Sequence, residues 1–180
     1  MNKKQEANTL VKECITTVLL QMMETTPYEQ IAITDLVKKA GVGRVSFYRN
    51  FESKKDVIEK QLVFLLKEWG REFEARGDLS AFSDSVIRHY YKHKDFYLLL
   101  YKQGLSDMIY ETLRYACRLD EARSNFERYN KSMFAGMLFG WVDEWMRKGM
   151  PESPDEIALL SAQMNTTTNG HLIKLCFGRA

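Results

Sequence analysis

The chain has 180 residues, 45% of them hydrophobic and 12% aromatic, with 26 Lys and Arg against 24 Asp and Glu for a formal net charge of +2. That length can bury a sizeable core, the composition excludes a disordered or low-complexity chain, and a net charge so near zero does not by itself point to nucleic acid. No apolar run approaches the ~20 residues of a membrane span, and the opening MNKKQEANTL lacks the apolar stretch of a secretory signal, so the expectation is a cytoplasmic protein with no membrane partner.

Cys14, Cys117 and Cys176 are odd in number, far apart and without metal or redox spacing, which predicts reduced, buried thiols. From about Ala7 to Glu24, Val11, Ile15, Val18, Leu19, Met22 and Met23 recur at helical spacing until Pro27 stops the run. Thr34 is positioned to cap a second, short helix, with Asp35 in its first turn and Leu36, Val37 and Ala40 as a narrow apolar face. Gly41 stands where a left-handed stop is needed, and Gly41-Val42-Gly43 makes a turn whose one large side chain can plug the angle between two helices. In the next helix Phe47 and Phe51, four apart, face inward, which leaves Arg44, Ser46, Tyr48, Arg49 and Asn50 towards solvent or a ligand.

Those residue types suit a DNA major groove. Arginine bonds guanine bidentately, asparagine pairs with adenine, serine and tyrosine bond phosphate oxygens, and a helix N-terminus favours phosphate. From Thr34 to Lys60 there are seven basic residues against four acidic, so the positive charge is local to this segment. Such a patch suits phosphate clamping with salt-dependent affinity.

The stretch Ile31–Ile58 resembles the DNA-binding region of the TetR family of bacterial transcriptional regulators. The likeness is carried by Thr34, Leu36, Ala40-Gly41-Val42, Gly43-Arg44, Ser46, Phe47, Tyr48, Phe51 and Ser53-Lys54. Two positions depart from that pattern: Gly43 stands where a Ser, Thr or acid often caps the second helix, and Asn50 where an aromatic or histidine is frequent. The resemblance implies that Arg44, Val45, Ser46 and Asn50 face bases or nearby backbone while Thr34, Tyr48 and Lys54 clamp phosphates.

Beyond Ser53, Val57, Ile58, Leu62, Leu65, Leu66, Trp69 and Phe73 sustain one long helix to about Ala75, broken by Gly77 and Asp78. No flexible linker interrupts it, so this helix joins the reading unit to the remainder. Later signals are helical throughout: Leu79–Tyr91, Asp95–Gln103, Ser106–Cys117, Asp120–Lys148 and Pro154–Phe177, the last begun by a capping box at Ser153-Pro154-Asp155-Glu156 and weakened at Asn165–Gly170. The expectation is an all-α chain, with a three-helix helix-turn-helix domain at 1–53 and a larger helical ligand-binding and dimerisation domain at 54–180.

In the helix from about Asn125 to Lys148 little purely polar surface remains between residues 133 and 146, which predicts a helix buried nearly all round, one face meeting a second copy through Met133, Gly136 and Gly140. The family resemblance implies that the last two long helices form a four-helix bundle with the partner, adding Ile157, Leu160 and Met164 to the interface. It also implies a small effector, and Tyr97, Tyr101, Met108, Tyr110, Phe134, Met137 and Trp141 supply an aromatic, polarisable lining for an apolar or aromatic one. His89 and His93 alone make an incomplete metal site, so neither metal nor cofactor is expected. No phosphate loop, Gly-x-Ser-x-Gly elbow or HExxH motif is present, and no catalysis is expected. The reading is a homodimeric repressor released from a palindromic double-stranded operator by an effector. The alternative is a coactivator or adaptor of the same fold acting through a protein partner.

Overall fold

The computed structural model describes residues 3–78 and 81–165, with side chains described for residues 6–78 and 81–160. It is all-helical, with no strand among the described residues. Helix α1 (Lys3–Thr25) buries Ile15, Leu19 and Met23 completely, a four-residue repeat that packs one stripe against α2 (Ile33–Lys39), α3 (Arg44–Asn50) and α4 (Lys54–Arg76). Between α1 and α2, Pro27 leads a single turn of tighter helix at Tyr28–Gln30.

The helix-turn-helix forms where expected, with one change at its start. Ala32, in extended conformation, precedes Ile33, so Thr34 lies exposed within the first turn of α2 and does not cap it. Leu36, Val37 and Ala40 are buried, and Gly41 adopts a φ of 65°, the left-handed geometry that lets α2 stop and the chain swing into α3.

Helix α4 is the spine. Ser53 caps it by accepting from the Asp56 amide at 3.1 Å, and Gly77 closes it in left-handed conformation. Its first part packs against α1, and it also lies on α5 (Phe82–Lys92) and α7 (Asp107–Ala116). Helix α6 (Lys94–Lys102) bridges the parts, touching both α1 and α8 (Asn125–Arg147), while α9 (Pro154–Asn165) lies along α5. The predicted helix from Asp120 begins later: Arg118 turns left-handed, Leu119–Glu121 form a short tight turn, and Ser124 caps α8 by accepting from the Glu127 amide at 3.1 Å. Ser153 and Glu156 form the expected capping box, the Glu156 carboxylate accepting from the Ser153 amide at 2.8 Å. The Asn165–Gly170 weakening, the end of the last helix at Phe177 and Cys176 lie outside the described residues. Cys14 is exposed, contrary to expectation, because it follows the polar side of α1, one residue before buried Ile15.

Candidate nucleic-acid interface and effector cavity

The reading helix is held from beneath by an aromatic wedge. Phe47 is fully buried, Phe51 nearly so, and their rings stand 5.8 Å apart. With that side anchored, α3 presents Arg44, Val45, Tyr48 and Arg49 outward, and Val45, an apolar residue, is 72% exposed. Ser46 is half-buried. The Arg44 guanidinium lies 6.0 Å from the centre of the Tyr48 ring, so the two form one amphipathic edge.

Asn50 is a correction. It is only 7% exposed, and its Nδ2 donates to the Ser46 carbonyl oxygen at 2.8 Å. The reason is helical periodicity: Asn50 stands three residues after Phe47 and shares its inward face. Asn50 Oδ1 is buried without a hydrogen-bond partner. Lys54 is also engaged inward, its Nζ donating to the Tyr28 carbonyl oxygen at 2.7 Å and lying 4.5 Å from the Tyr28 ring centre. Thr34 remains exposed at the start of α2.

A cavity of about 480 Å³ opens between α4, α5, α7 and α8, within the usual range of small-molecule sites. Leu66 and Trp69 contribute from α4, Phe82, Val86, His89 and Tyr90 from α5, Leu113 from α7, and Asn130, Lys131, Phe134 and Leu138 from α8. Of the residues predicted to line a pocket, Phe134 alone is on this wall. Tyr97 and Met108 are core, Tyr97 hydrogen-bonded to His89 Nε2 at 2.9 Å. Tyr101 donates to Asp143 Oδ1 at 2.5 Å, and the Tyr110 ring packs 5.1 Å from Phe139. Trp141 is half-buried at a position further along α8, and Met137 is 62% exposed on the outer stripe of that helix. Aromatic composition marked the right helices; the helical turn decides which residues look inward.

Burial, followed by the neighbouring His93 and Lys92, pushes the His89 imidazole down to about 3, so it is neutral in the fold. Burial likewise raises the Cys117 thiol, with Lys131 opposing, and Cys117 stays a thiol on the cavity wall. Among the described residues no group of three or more His, Cys, Asp or Glu side chains is placed to hold a metal ion, and no helix is long and apolar enough to cross a membrane.

The outer stripe of α8 departs from the expectation of a helix buried all round. Phe126, Tyr129, Met133 and Met137 are exposed, and Leu159 and Leu160 of α9 are exposed too. Gly140 is open, whereas a side chain at Gly136 would meet the Tyr110 hydroxyl of α7 at 3.9 Å within the same chain. Ile157 is buried in the chain's own core through the packing of α9 on α5, so it is not available to a partner. The Met164 side chain lies outside the described residues.

With this geometry in hand, residues 15–60 match the family model described as bacterial regulatory proteins, tetR family. That segment is a domain of the tetR family. A domain of this family indicates a helix-turn-helix, DNA-binding transcription regulator. The whole fold is similar to the crystal structure of Lin0861 from Listeria innocua, with a TM-score of 0.72 at 18% identity over 92% of this chain and 94% of that one. At that identity the likeness speaks to the fold alone, including the helices beyond the matched segment. No curated protein matches the chain in sequence.

Proposed function

We propose that the chain is a homodimeric repressor whose residues 1–53 read a palindromic operator and whose residues 54–180 pair the two copies and sense a small molecule. The observation that carries this is the outward edge of α3, where Arg44, Val45 and Tyr48 are presented on a helix locked by Phe47 and Phe51. These side chains offer bidentate, apolar and phosphate contacts together, with Ser46 beside them and Thr34 at the neighbouring helix start.

Dimerisation is supported by the uncovered apolar stripe on α8, since a row of Tyr129, Met133 and Met137 facing water is costly in a lone chain. Gly140 on the same side lets two backbones approach. Two copies would bring two reading helices to half-sites about 34 Å apart.

Release by an effector is supported by the cavity's walls. Leu66 and Trp69 belong to α4, the same helix that begins four residues after α3 ends, so a molecule pressing on them displaces the element that sets the reading heads' spacing. A cavity favours a sensor over the protein-partner alternative, which calls for a further apolar patch away from the dimer seam.

Sedimentation velocity of the wild type and of Met133→Asp with Met137→Asp tests the assembly. A dimer that the double variant converts to a folded monomer with lost DNA affinity supports the proposal; a monomeric wild type overturns it.

A further inference from the structure

Three polar side chains of the cavity wall are hydrogen-bonded within the fold. Trp69 Nε1 donates to Ser85 Oγ at 3.3 Å, His89 Nε2 pairs with the Tyr97 hydroxyl, and Asn130 Nδ2 donates to the Phe126 carbonyl oxygen at 2.7 Å. The single cation among the lining residues, Lys131, is 2.6 Å from the Glu127 carboxylate and donates to the Arg118 carbonyl oxygen at 3.2 Å. No Asp or Glu lines the cavity, and its remaining wall is aliphatic and aromatic.

A second recess of about 180 Å³ lies behind Trp69 and His89, which line both spaces. Its cations are committed or solvated: Arg88 bridges Asp84 and Asp155, Lys92 pairs with Glu72, and Arg76 is exposed in the last turn of α4. The main cavity, whose one lining cation is already paired, therefore offers no uncommitted counter-charge to an ionised head group. An ion entering the main cavity would lose hydration without replacement by a counter-charge.

We propose, resting on the effector-sensing reading above, that the cavity takes an uncharged, predominantly apolar molecule of about two to three rings and rejects the same skeleton when it is ionised. The size follows from volume: a dry pocket of ~150 Å³ holds one benzene ring, and this cavity is roughly three times larger. The Trp69, Phe82 and Phe134 rings supply aromatic surface for such a skeleton.

The test uses the full chain and phenylnaphthylamine, a neutral probe that brightens in apolar surroundings. Displacement is then measured with naphthylmethanol, naphthoate and naphthylmethylammonium, which share one skeleton and differ in charge. The expected result is that the alcohol displaces the probe at concentrations roughly tenfold or more below either ion, and that Leu138→Trp, which fills the cavity, abolishes probe binding while melting like the wild type. An ion that competes as well as the alcohol overturns the ligand class and leaves sensing intact. Binding that persists in Leu138→Trp places the probe elsewhere and overturns the proposal. If Leu138→Trp unfolds, Phe134→Trp supplies the same readout. No binding of any neutral probe to a folded wild type overturns the sensing reading together with the ligand class.

Discussion

Lys54, the first residue of the linking helix, donates to the carbonyl oxygen of Tyr28 at 2.7 Å and lies over its ring. A residue at the expected phosphate clamp is thus also a staple between α4 and the turn that follows α1. Lys54→Ala is expected to lower the unfolding free energy by about 1–2 kcal/mol, from a charged hydrogen bond and a partly exposed cation–π contact. Because the ammonium is engaged inward, the salt dependence of DNA binding should change by much less than the one unit of a lost phosphate contact. Urea unfolding and affinities at several salt concentrations check both.

Arg44 and Asn50 should separate cleanly. Arg44→Ala removes an exposed group from the reading edge and is expected to cost about 1–3 kcal/mol on the best duplex, with relaxed preference at the base it reads. Asn50→Ala removes a buried side chain whose Nδ2 is spent on Ser46 and whose Oδ1 is unpartnered. It should leave base preference unchanged and stability within about 1 kcal/mol. Competition with single-base variants of the preferred duplex gives the comparison.

The Tyr28 peptide is tied on its other side by Gln103, at the end of α6. Gln103 Oε1 accepts from the Tyr28 amide at 2.7 Å, and Gln103 Nε2 donates to the carbonyl oxygens of Met23 and Thr26. One side chain therefore holds the α1 exit to the part of the chain that contains the cavity. Gln103→Ala is expected to destabilise by about 1–3 kcal/mol, since partly buried backbone groups lose their partners. Thermal and urea unfolding measure it, and Gln103→Glu should not rescue, because a carboxylate cannot donate to those two carbonyls.

Acid should weaken the fold through His89. Its folded pKa is depressed to about 3 from an ordinary 6.5, chiefly by burial. The unfolded chain therefore binds a proton that the folded chain refuses across that window. Stability is undiminished above pH 6.5 and falls as pH drops towards 3, with a slope of about 1 kcal/mol per pH unit. His93, also lowered, acts in the same direction. Urea midpoints between pH 7 and 4.5 should fall less steeply in His89→Gln than in the wild type.

Much of this was legible in local spacing. The apolar repeat of α1, the Ala40-Gly41-Val42 turn, the Phe47 and Phe51 wedge and the extent of α4 all follow from i, i+4 periodicity and turn chemistry. Asn50 was legible by the same rule, since three residues from Phe47 is the buried side; its side-chain type suggested a base contact that its position denies. The capping pair Ser124 and Glu127 has the spacing of Ser153 and Glu156 and marks the true start of α8. The cavity was not legible, because it needs four helices to converge and the helical phase of α8 sends Phe134 and Leu138 inward while Met137 turns out. The bonds of Lys54 and Gln103 to Tyr28 join residues distant in sequence, which periodicity cannot report.

Selection of bound sequences from a random duplex library by the full chain, at ~100 mM salt where phosphate contacts are felt but not overwhelming, tests the central claim most directly. The account predicts enrichment of a palindrome with two half-sites about one helical turn apart, lost or altered in Arg44→Ala. No enrichment by a folded, dimeric chain would contradict it.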